Sequence, residues 1–75
     1  MSELSERVSK CSMVYLGPAA PIFLERQTKF HMNGLAFGTL EKKHLPELSH
    51  WVLISASLLI DKGKAKELSE KISVM

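Results

Sequence analysis

The ten residues Trp51–Ile60, WVLISASLLI, are the feature that most restricts how this chain can fold. With Pro46 to open it, the surrounding segment reads as a helix from about Pro46 to Ile60. Leu48, Trp51, Val52, Ser55, Leu58 and Leu59 fall on one face, with Leu45 just before it. The opposite side carries Leu53, Ile54 and Ile60, with His50 and Ser57 as its polar members. A helix apolar on more than one face must be central. A chain of 75 residues has few other helices to surround it. The pattern therefore predicts that one face packs internally and the other meets a second chain. His50, Leu53, Ile54, Ser57 and Ile60 are the candidate partner face.

Size points the same way. Seventy-five residues make one domain, and a chain this short buries only about 60% of its unfolded surface. Association with a second copy or a partner is a natural source of extra stability. Nothing covalent substitutes for it, because Cys11 is the only cysteine. A lone thiol fits a reducing, cytoplasmic setting. The start MSELSERVSK lacks the apolar core of a signal peptide. The ten-residue apolar run, which includes two serines, is far short of a membrane span. Ten basic and eight acidic side chains are interspersed and give a net charge of +2. Such a surface carries no strong nucleic-acid signature.

Three further segments show helical spacing. From about Leu4 to Leu16, Leu4, Val8, Cys11 and Tyr15 share a side, with Val14 beside them. Ser2 is a suitable N-cap and Gly17 a natural stop. A second helix runs from Pro18 to about His31, with Ala20, Phe23, Leu24, Gln27 and Phe30 on its broad inner face. Asn33-Gly34 terminates it. Leu35 and Phe37 alternate with Ala36 and Gly38, as in a short extended segment. The preferred reading is a loop that plugs both into the core, with Thr39 capping a short turn that reaches His44. Asp61-Lys62-Gly63 is expected to close the long helix, with the glycine as its left-handed cap. The last helix, about Lys64 to Val74, has a thin apolar line of Ala65, Leu68 and Ile72. That line suggests a lid lying across the others. The predicted fold is all-α, a small bundle of three to four short helices in a single domain.

The segment Tyr15-Leu16-Gly17-Pro18-Ala19-Ala20-Pro21-Ile22-Phe23-Leu24 resembles the Y-[ILV]-G-P-x-A-x-x-x-[LV] stretch of a small helical module. That module forms the tail of bacterial signalling proteins and is often joined to kinase, receiver or roadblock-like domains. Leu48, Trp51, Val52, Leu59, Ala65, Leu68 and Ile72 fit its later helical positions, so the resemblance spans nearly the whole chain. It implies an accessory or oligomerising role in regulation. The family module usually hangs on a larger protein. Read as a whole chain of 75 residues, this one departs from that arrangement and leaves a free-standing adaptor open. The turn itself has a structural explanation. Gly17 permits a backbone geometry that a side chain resists, and Pro18 presets a helical φ for the next helix.

Residues that could carry chemistry are scattered. Cys11 lies on an apolar side and reads as an inert buried thiol. His31, His44 and His50 have no metal-ligand spacing, and HExxH, GxSxG and GxxxxGK are absent. No catalytic residue, metal or cofactor is expected. Trp51 reads as core first and interface anchor second. The leading expectation is a non-enzymatic interaction module, a homodimer or the partner of one specific protein. A chaperone or inhibitor of a single protein belongs to the same reading. The alternative is a small DNA-binding regulator, with Lys42, Lys43, Lys62, Lys64 and Lys66 as phosphate contacts. It lacks the Arg, Asn or Gln cluster that reads base edges.

Overall fold

The computed structural model describes residues 2–75. Among the described residues four α-helices succeed one another: α1 (Glu3–Leu16), α2 (Ala20–His31), α3 (Leu45–Ala56) and α4 (Lys62–Ser73). Short 3₁₀ turns occupy Gly17–Ala19, Phe37–Thr39 and Lys42–His44. The fold is thus an all-α bundle, with no strand among the described residues.

Local chemistry accounts for the ends of α1. Ser2 is its N-cap, with the hydroxyl accepting from the Ser5 N–H at 3.1 Å. The same residue ties the helix to the middle of the chain. Its N–H donates to Gly38 O at 2.8 Å and its hydroxyl to Leu40 O at 3.2 Å. At the other end Gly17 has φ 66° and ψ −151°, and its N–H bonds Met13 O. That backbone region belongs essentially to glycine. The 3₁₀ turn Gly17–Ala19 then leads directly into α2. Asn33 and Gly34 both have positive φ, 55° and 74°. They reverse the chain after α2, as the Asn-Gly pair predicts.

The core runs through all four helices. Val8, Leu24, Leu48, Val52, Ala56, Ala65, Leu68 and Ile72 have no accessible surface, and Phe37 and Leu40 seal it from the connecting loop. Leu35 packs against the same cluster. The most extensive pairing is α3 with α4, and α1 and α2 pack against this pair.

Several boundaries and faces depart from the pattern of the sequence. Helix α3 stops at Ala56, four residues short of Ile60. Its last turn tightens through Leu58 N–H to Ser55 O and Leu59 N–H to Ala56 O. The cause lies downstream. Asp61 is the N-cap of α4, accepting from the N–H groups of Gly63 and Lys64 at 3.0 and 3.3 Å. A capping residue needs non-helical dihedrals, and Asp61 has φ −53° and ψ 137°. Continuous helix through Asp61 would lose that cap. Gly63 therefore sits inside α4 rather than capping α3. Thr39 ends a 3₁₀ turn and bonds back to Ala36 O. The turn to His44 is instead closed at Glu41, whose N–H donates to His44 Nδ1 at 3.0 Å.

Helix α4 is no lid. Ala65, Leu68 and Ile72 are fully buried, and Ser69 donates its hydroxyl to Ser49 O at 2.8 Å across the α3–α4 interface. The inner face of α1 centres on Ser5, Val8, Ser9 and Ser12, all buried. Leu4, Cys11 and Tyr15 flank it, while Val14 points outward. On α2 the inner face includes Thr28, and Phe30 is exposed.

Leu68→Ala empties a site enclosed by the helices and is expected to lower stability by about 2–5 kcal/mol in urea denaturation. Gly17→Ala meets no neighbour within 4 Å. The same measurement is still expected to show a loss of about 1–3 kcal/mol, because the penalty is in the backbone dihedrals.

Candidate interaction surface

Between Glu47 and Asp61 the chain carries no Asp, Glu, Lys or Arg. Helix α3 buries Leu45, Leu48, Ser49, Val52 and Ala56 against the bundle. Its other residues must be half-covered or face outward. His50 and Ile54 stand one turn apart on the outer side, and Leu58 continues that line into the turn after the helix. Ile54 is 47% exposed, Leu58 84% and Leu59 66%. These are large aliphatic side chains left uncovered by the single chain.

The predicted partner residues do not all share this surface. His50 and Ile54 are exposed together on the outer side. Leu53 is half-buried and packs against the core. Ser57 is half-buried and donates its hydroxyl to Leu53 O. Ile60 lies beyond the end of α3 in the bend before α4, packs partly against the core and turns toward α1. Leu58 and Leu59, assigned from spacing to the inner face, are among the most exposed apolar residues. The early stop of α3 breaks the helical phase that assigned them inward. Gly17 and Pro18, the turn residues, join α1 to α2 and belong neither to α3 nor to the turn after it.

Trp51 is half-buried between two histidines. The His31 ring stacks on it at 4.3 Å between centroids and 14° between planes. The His50 ring meets it edge-on at 5.1 Å and 68°. The indole Nε1 is buried without a hydrogen-bond partner among the described residues. Gln27 and Ser55 join α2 to α3 nearby, through Ser55 Oγ donating to Gln27 Oε1 at 2.8 Å. His44 belongs to its own turn. Among the described residues no three His, Cys, Asp or Glu side chains gather as metal ligands. Cys11 is a free, half-buried thiol.

A second feature lies between α1 and α4. Val14 and Tyr15 from α1, with Ile60, Lys64, Glu67 and Lys71, line an open cleft of about 430 Å³. The Tyr15 hydroxyl donates to Glu67 Oε1 at 2.8 Å. Lys71 Nζ lies 3.7 Å from the same oxygen, and Lys64 Nζ 3.9 Å from Oε2. The Tyr15 hydrogen bond, and after it the Lys64 charge, hold the Glu67 carboxyl below its ordinary range. Lys71 is held above its ordinary value, chiefly through Tyr15. Of the lysines considered for phosphate contact, Lys43 pairs with Glu41 and Lys64 with Glu67. Lys42 and Lys43 sit on the 3₁₀ turn that precedes α3, and Lys62, Lys64 and Lys66 in the first turns of α4.

Comparison of the chain with protein-family models, curated proteins and solved structures gives no match. Among the described residues no helix is long and apolar enough to cross a membrane.

Sequence pattern alone does not single out the cleft. Tyr15 and Glu67 are 52 positions apart, and only packing of α1 on α4 joins them. The one local signal is the Lys64, Glu67 and Lys71 spacing of three and four, which places them on one helical face.

Tyr15→Phe removes the largest cause of the lowered Glu67 pKa. The Glu67 carboxyl resonance followed by NMR is expected to titrate at higher pH in this variant. Because the folded pKa is depressed, the stabilising share of this bond is present above the ordinary carboxylate range. It is lost as pH falls through the folded value. The melting-temperature gap between wild type and Tyr15→Phe is expected to close on acidification, measured by circular dichroism.

Proposed function

We propose that this protein is a non-catalytic interaction module that self-associates through the outer side of α3 and the turn after it. The carrying observation is the exposure of Ile54, Leu58 and Leu59 within a stretch that has no charged side chain. Interface centres are depleted in charge, whereas most free surfaces are not. A second copy offers the same uncharged aliphatic patch, and a two-fold arrangement places each patch on its equivalent. His50 stands at the rim, beside Trp51.

Self-association also answers the shortage of core in so short a chain. A regulatory role in the cytoplasm is the setting we favour. It is supported by the lone thiol and by the resemblance of Tyr15–Leu24 to a tail module of bacterial signalling proteins.

Sedimentation velocity at low micromolar concentration is expected to show a dimer. The double variant Ile54→Asp, Leu58→Asp is expected to run as a monomer with unchanged helical circular dichroism, since Leu58 is largely and Ile54 about half exposed and neither belongs to the buried core. A wild-type chain that stays monomeric across the concentration range would remove the proposal.

A further inference from the structure

The α1–α4 cleft is built differently from the α3 surface. Its apolar parts are Val14, which is 80% exposed, and Ile60. Its polar parts are Tyr15, Lys64, Glu67 and Lys71. These polar groups already hold one carboxylate, that of Glu67, between a phenol and two ammonium groups. The two ammonium groups face this single carboxylate. Each ammonium has three donors, and at 3.9 and 3.7 Å from Glu67 both stand beyond hydrogen-bond distance of it. The cleft therefore combines uncovered aliphatic surface with an excess of positive charge.

A carboxylate-bearing helix with leucine-like side chains every three or four residues matches both properties. Laid into the groove, it can set its apolar residues on Val14 and Ile60 while its carboxylates reach the lysines. A polyanion such as nucleic acid satisfies the lysines and leaves the aliphatic pair wet. A purely apolar helix desolvates two ammonium groups that share a single carboxylate.

We propose that the groove between α1 and α4 is a docking site for an acidic amphipathic helix of another protein, with Lys64 and Lys71 as its charge partners and Val14 as its apolar anchor. The groove adjoins the self-association surface at Ile60, but Val14, Lys64 and Lys71 belong to the groove and Ile54 and Leu58 to the α3 surface. The chain would then join two copies of itself to two copies of an acidic partner.

The test uses a fluorescein-labelled helical peptide of about 14 residues, long enough to span roughly 20 Å. It carries leucines at i, i+4, i+7 and i+11 and glutamates between them, and is titrated with the full chain in fluorescence anisotropy up to ~1 mM, which reaches the weakest association of interest. Saturable binding is expected, weakened by added salt and by roughly tenfold or more in Lys64→Glu, Lys71→Glu. Circular dichroism checks that this variant folds. Val14→Asp, at a solvent-facing position, supplies a second loss of binding if it does not. The Ile54→Asp, Leu58→Asp variant is expected to bind as wild type, so failure of the α3 reading and failure of this one are separable. The proposal is overturned by three results: no saturable binding, undiminished binding in folded variants, or equal or tighter binding of the lysine-for-glutamate peptide or of a short DNA duplex.

Discussion

The bundle depends on the packing of α3 against α4. Leu48, Val52 and Ala56 from one helix and Ala65, Leu68 and Ile72 from the other are all sealed from solvent. The two helices are brought close by small residues at their contact, where the Ser69 hydroxyl reaches the Ser49 carbonyl directly. Close approach of this kind needs short side chains on both partners. Helices α1 and α2 pack over that seam, and the loop residues Phe37 and Leu40 join the same core.

That arrangement explains why the outer side of α3 stays uncovered. Every other helix is committed to the seam side. Among the described residues no further element lies over Ile54, Leu58 and Leu59. The α1–α4 cleft arises from the same geometry at a different edge. There α1 meets the flank of α4, and at the surface the two are tied by the Tyr15 hydroxyl on Glu67 and by the Lys71 ammonium over the Tyr15 ring. One edge of the molecule is therefore greasy and uncharged, and another is mixed and basic.

Much of the fold is legible from spacing and from punctuating residues. Ser2, Gly17 and Asn33-Gly34 mark ends that the structure places as expected. Val8, Leu24, Leu48, Val52, Ala65, Leu68 and Ile72 are core as their spacing predicts. The departures have two physical sources. The Asp61 side chain holds the first N–H groups of α4, and this capping demand ends α3 early and throws Leu58 and Leu59 out to solvent. The other source is serine. Ser5, Ser9 and Ser12 form the inner row of α1, yet a hydropathy pattern counts them as polar, and this shifts the assigned face toward Val14. Of the candidate site, exposure around Ile54 is foreseen by the surplus of apolar residues, whereas the cleft requires long-range packing that no local pattern encodes.

The serine row has its own consequence. The hydroxyls of Ser5 and Ser12 bond to carbonyls of Ser2 and Val8 within or at the edge of their own helix. Toward the neighbouring helices they present little more than a methylene group. Helix α1 is thus governed there by bulk and not by polarity. A mutational survey of these positions would tolerate alanine or glycine-sized replacements and reject leucine, contrary to their hydrophilic character, because an added isobutyl group has nowhere to go except between helices already in contact.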